Sequence, residues 1–130
     1  MLFPCHRLSA DQVLIEIDDV IDVDGEDLAE RSLCAVVSRS GARTVVIDVR
    51  TSLVTAAMVN VLLRVRRVAH SRGVALCVLA RQPLARKVFR IAGVHRTLLV
   101  TATLSGALAV ARGCRPPSEP AARRGDGALR

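Results

Sequence analysis

Apolar and polar positions along the chain alternate between two periods. Residues 13–17, VLIEI, form a short β-type run closed by Asp18 and Asp19, and a preceding strand around residues 3–8 is a further candidate. From Asp24 the spacing turns helical: Asp24 is placed to cap, Glu26 and Asp27 suit the positive end of the helix dipole, and Ala29, Leu33, Val36 and Val37 share a face until Gly41. The run TVVIDV at 44–49 is apolar almost throughout, as expected of a strand covered on both faces. A helix over about 55–72 comes next, with Val59, Leu62, Leu63 and Val65 on its apolar stripe and Arg64, Arg67 and His70 opposite. Arg72-Gly73 closes it, a cation near the negative pole followed by a residue that tolerates positive φ.

VALCVLA at 74–80 reads as the next buried strand. Gln82-Pro83 opens a helix on which Leu84, Val88 and Ile91 repeat at four and three, stopped by Gly93. TLLVT at 97–101 is a further strand, and SGALAVAR at 105–112 a last helix capped by Ser105. From 113 to 130 Pro, Gly and charge replace any apolar period, which predicts a disordered tail. Strands alternating with helices imply an α/β domain over residues 1–112, with helices packed against a four- to five-stranded mixed sheet. At 130 residues there is room for a single core.

Composition narrows what such a domain can do. With Phe, Trp and Tyr together at 2%, Phe3 and Phe89 are the only large aromatic side chains, so the platforms on which RNA and single-strand binders stack bases are scarce. The formal charge of +7 is unevenly spread: Asp11 to Glu30 holds most of the acids, whereas no Asp or Glu occurs between Asp48 and Glu119. An acidic side and a basic side follow; solvated arginines balancing a helix surface account for them first, a protein-docking patch next, and nucleic acid least. Nothing resembles a secretory leader or an apolar run of membrane-spanning length, so the expected compartment is cytoplasmic, with no membrane partner.

Enzyme chemistry finds no foothold. Glycine-rich phosphate loops and the G-x-S-x-G elbow are absent, so the chain is expected not to be an enzyme and to need no cofactor. Cys5, Cys34, Cys77 and Cys114 have neither C-x-x-C spacing nor histidines at ligand spacing, so no metal site is indicated. In the acidic stretch DDVIDVDGED, setting Gly25 at the sixth position of a calcium loop puts Val20 first and Arg31 twelfth, where the ion requires oxygens. What remains is the junction after Asp48, where Thr51, Ser52 and Thr55 precede a helix start. Unpaired N–H groups there would tolerate a phosphorylated hydroxyl, and Ser52 or Thr55 could equally be a plain cap.

The order of elements, with IEIDDVID ending at Asp22, TVVIDV with Asp48, and the long stretch from VLLRVRRVAH to SGALA, resembles the STAS domains, in particular the bacterial anti-sigma factor antagonists. The resemblance implies a non-enzymatic regulatory module that sequesters an anti-sigma factor or related kinase-fold protein and so regulates transcription by partner switching. In that family the motif D-S-S/T-G carries the phosphorylated hydroxyl. Counting back from Val61, Thr55 takes the Asp position, Ala56 and Ala57 the hydroxyl positions and Met58 the glycine, in a loop one residue shorter than usual. The resemblance makes Asp22, Arg50, Thr51, Ser52, Thr55, Ala56, Ala57, Asn60 and Arg64 the expected partner-binding residues, with Thr55 the surviving candidate phosphoacceptor. The alternative is a phosphorylation-insensitive STAS scaffold or homodimer in a signalling assembly that does not control a sigma factor.

Overall fold

The computed structural model describes residues 3–113, so the expected tail lies, from residue 114 onward, outside the described residues. Five strands form one sheet in the order β1-β2-β3-β4-β5: β1 Cys5–Arg7, β2 Gln12–Ile17, β3 Thr44–Val49, β4 Ala75–Ala80 and β5 Val100–Thr101. Only β1 runs antiparallel to its neighbour; Gln12, Thr44 and Ala75 begin a parallel register that carries through β2, β3 and β4. Among the described residues no helix is long and apolar enough to cross a membrane.

Alternation along the strands divides the core in two. Val13, Ile15 and Ile17 of β2, Val45, Ile47 and Val49 of β3, and Val78 and Ala80 of β4 turn to the face covered by α1 Glu26–Arg39, α2 Ala56–Ser71 and α3 Pro83–Ile91. Leu14, Val46, Cys77 and Leu79 turn to the other face, where the single helix α4, Leu104–Gly113, lays Ala107 and Ala111 over the sheet. Both faces of β3 and β4 are covered, which is why these strands read as continuous apolar runs.

The helix ends differ in detail from the sequence expectation. Asp22, not Asp24, supplies the cap: its Oδ1 accepts from the Gly25 N–H at 2.9 Å and starts a 3₁₀ turn, Val23–Gly25, that leads into α1. Thr103 replaces Ser105 at α4, its hydroxyl accepting from the Gly106 N–H at 3.1 Å. Gly73, at φ 73°, ends α2 as its position suggested.

Two larger corrections concern α3 and β5. On α3 the buried residues are Ala85 and Phe89, whereas Leu84 and Ile91 are 57% and 75% exposed. The repeat of Leu84, Val88 and Ile91 is therefore not the buried face: Leu84 and Ile91 turn outward, while Val88 is half-buried against the core. The strand expected at 97–101 shrinks to Val100–Thr101, because residues 95–99 form turns in which Leu99 takes the left-handed φ of 53° while Leu98 is fully buried.

Candidate docking surface

The chain leaves β3 at its carboxyl end, the side of a parallel sheet on which α/β folds build their sites. Glu16 and Asp48 are register partners on β2 and β3, so two carboxylates stand side by side there. Arg50 offsets them, with its guanidinium 3.7 Å from Glu16, 3.6 Å from Asp48 and 3.4 Å from Asp18. Asp48 is 2% exposed and its Oδ1 has no hydrogen-bond partner among the described residues. Burial pushes its carboxyl pKa up, and the cations Arg81 and Arg50 only partly oppose this. Arg50 is thus committed to this acidic end of the sheet while remaining half exposed.

Beyond Arg50 the loop folds on its own hydroxyls. Thr51 accepts from the Leu53 N–H at 3.1 Å, Ser52 is exposed, and Leu53 stands 57% exposed. Thr55 has the extended backbone of an N-cap, φ −91° and ψ 162°, and its hydroxyl accepts from the Met58 N–H at 3.0 Å. The same hydroxyl donates to the Ile21 carbonyl. Its one proton and one of its lone pairs are therefore engaged. Ile21 is fully buried and precedes Asp22, so Thr55 fastens the loop before α1 to the start of α2.

The expected exposed helix start is only half so. Ala56 and Asn60 face outward, but Ala57 is 4% exposed and Met58 is fully buried, because the second and third residues of α2 turn toward the sheet. Ala57 therefore serves the core and not the surface. Arg64 lies on the seam between α1 and α2, with guanidinium nitrogens 2.6 Å from Glu26 and 2.7 Å from Glu30, the former a hydrogen bond and the latter a close ion pair.

Beside Ala56 and Asn60 runs a groove that the sequence reading missed. Thr55, Ala56, Val59 and Asn60 form one wall, and Val88, Ile91 and Ala92 of α3 and its end form the other, enclosing about 260 Å³. The lining is mostly apolar, and Ile91 stands at its rim at 75% exposure. Had the spacing of Ala85 and Phe89 been taken as the buried face of α3, Ile91 would have been read as surface and Val88 as the border of the core.

No family model matches the sequence, and no curated protein matches it. Solved structures do. The anti-sigma factor antagonist SpoIIAA in its unphosphorylated form is 18% identical, with a TM-score of 0.64 over 85% of this chain and 96% of that one. An anti-sigma factor antagonist from Mycobacterium paratuberculosis is 20% identical, with a TM-score of 0.66 over 85% of this chain and 92% of that one. The Bacillus cell fate determinant SpoIIAA in its phosphorylated form is 15% identical, with a TM-score of 0.55 over 83% of this chain and 97% of that one. The chain has the STAS fold. At these identities the likeness is one of fold, and the STAS frame places the start of α2, with its alanines, at the carboxyl end of the central strand.

Proposed function

We propose that this STAS domain is a non-enzymatic protein-binding module that acts as an anti-sigma factor antagonist. It sequesters an anti-sigma factor or related kinase-fold protein on the groove between α2 and α3, and phosphate at the start of α2 does not release it. The observation that carries the second half is the state of Thr55: its hydroxyl is engaged in the Met58 N–H and Ile21 carbonyl contacts, and the two residues after it are alanines. A phosphoryl group adds nearly two negative charges and takes the place of the hydroxyl proton, so the bond to the buried Ile21 carbonyl would have to break for it to form. Thr55, Ala56 and Asn60 set small and polar groups beside the apolar Val59, Val88 and Ile91 of the groove, the mixture expected of a protein-docking face.

Purified anti-sigma factor kinases from the same genome, tested for retention on the full chain with and without ATP, decide the matter. At least one is expected to be retained equally in both conditions, with no phosphate on Thr55 or Ser52 by mass spectrometry. Retention of none rejects the antagonist role. Stoichiometric phosphorylation abolished by Thr55→Ala rejects the unswitched form of it.

A further inference from the structure

We propose that the chain carries a second site, at the opposite end of α2, that binds a phosphate group. A pocket of about 140 Å³ is lined there by Arg66, His70, Arg96, Thr97 and the start of β4 through Leu76. Arg66 and His70 are four residues apart and share one face of α2, while Arg96 comes from the turn between α3 and β5. None of these three side chains enters a described ion pair, and every residue lining the pocket falls within the stretch between Asp48 and Glu119 that contains no acid. Two arginines, Arg66 and Arg96, gathered in a hollow with no carboxylate among its lining residues repel one another until an anion joins them.

The backbone adds a donor. Along a parallel strand successive N–H groups point to opposite edges. The Ala75 N–H donates to the Arg43 carbonyl at 2.8 Å on the β3 side, and the Val78 N–H donates to the Leu98 carbonyl at 3.1 Å on the β5 side. Leu76 shares the side of Val78, but β5 pairs only with Val78 and Leu79. Leu99, left-handed at φ 53°, bends the chain away before the ladder can reach further. The Leu76 N–H, on a residue 4% exposed, therefore opens onto the pocket, and no described group accepts from it. A buried amide without an acceptor is costly, and an oxyanion held by two guanidinium groups supplies the acceptor. At this volume the pocket lies below the roughly 300 Å³ at which pockets take drug-sized ligands, so it fits the phosphate group itself and leaves whatever bears it outside.

Amide NMR spectra of the full chain, titrated with sodium phosphate at constant ionic strength against a chloride control, test this. The Leu76 and Thr97 amides are expected to shift saturably with phosphate alone. Arg66→Gln combined with Arg96→Gln should weaken binding about tenfold or more, as loss of charge-assisted contacts does, while Arg67→Gln on the exposed side of the same helix leaves it unchanged. A phosphoserine peptide that binds more tightly than free phosphate assigns the site to phosphorylated side chains; the reverse order assigns it to the soluble anion, and either supports the site. Unsaturable shifts, or shifts spread over every arginine and insensitive to the double substitution, overturn it. If the double variant fails to fold, the Leu76 response in the unaltered chain decides.

Discussion

Thr55 joins two loops that are far apart in sequence through a single hydroxyl, and the cost of its removal can be stated. Thr55→Ala deletes the N-cap to Met58 and leaves the Ile21 carbonyl without its donor. Loss of about 1–2 kcal/mol is expected by urea unfolding, and Thr55→Ser, which keeps the oxygen, should recover most of it. Asp48 makes the opposite case. Its carboxyl pKa is raised by burial, so the folded chain binds that proton more tightly than the unfolded chain, and stability falls as pH climbs through and above the ordinary carboxylate range. Asp48→Asn should therefore be more stable than the unaltered protein at neutral pH, with the difference vanishing in acid. Arg50 keeps Asp18 and Glu16 as partners in the variant. Unfolding midpoints that show the unaltered protein ahead at neutral pH would mean that the Arg50 contact outweighs the burial of the charge.

At the scale of elements, most of the fold was legible because long stretches repeat one period. The apolar runs of β3 and β4 and the sixteen residues of α2 leave little choice of element type. The nine residues of α3 do leave a choice, since Leu84 with Val88 and Ala85 with Phe89 are both spaced by four. Volume settles it: the only aromatic ring in the helix goes to the interior, Leu84 is left outside and Val88 stays half-buried. Phe89→Ala should then cost about 3–5 kcal/mol, the usual penalty for emptying a buried aromatic site, whereas Ile91→Asp should change stability by no more than about 0.5 kcal/mol while abolishing retention of an anti-sigma factor. Equal destabilisation by the two substitutions would place Ile91 in the core after all. The docking groove was only half legible for the same reason: Thr55, Ala56 and Asn60 follow from the chain, but Val88 and Ile91 come from a helix whose register the pattern left undecided. The contact of Thr55 with Ile21 spans thirty-four residues and has no local signal at all.

Over the whole molecule, two arginines hold the acidic side together. Arg50 faces Glu16, Asp18 and Asp48, and Arg64 faces Glu26 and Glu30. Arg66, Arg67, Lys87, Arg90 and Arg96 enter no described ion pair, and the full chain carries a net charge of +7. Salt has two opposed effects on such a surface. It weakens the exposed pairs, each worth about 0.2–1 kcal/mol, and it relieves repulsion among cations that have no counter-charge nearby. The unpaired cations outnumber the two bridging arginines and sit in a stretch without acids, so relief should win. The urea midpoint is expected to rise from a few tens of millimolar to about 0.5 M sodium chloride, over which the screening length shrinks to a few ångströms. Replacing chloride with phosphate at matched ionic strength should raise it further, and Arg66→Gln with Arg96→Gln should remove that extra part alone, because a specifically bound anion stabilises the folded state in proportion to its occupancy. A midpoint that falls as sodium chloride is added would show that the Arg50 and Arg64 pairs, and not the excess of positive charge, govern the electrostatics of this domain.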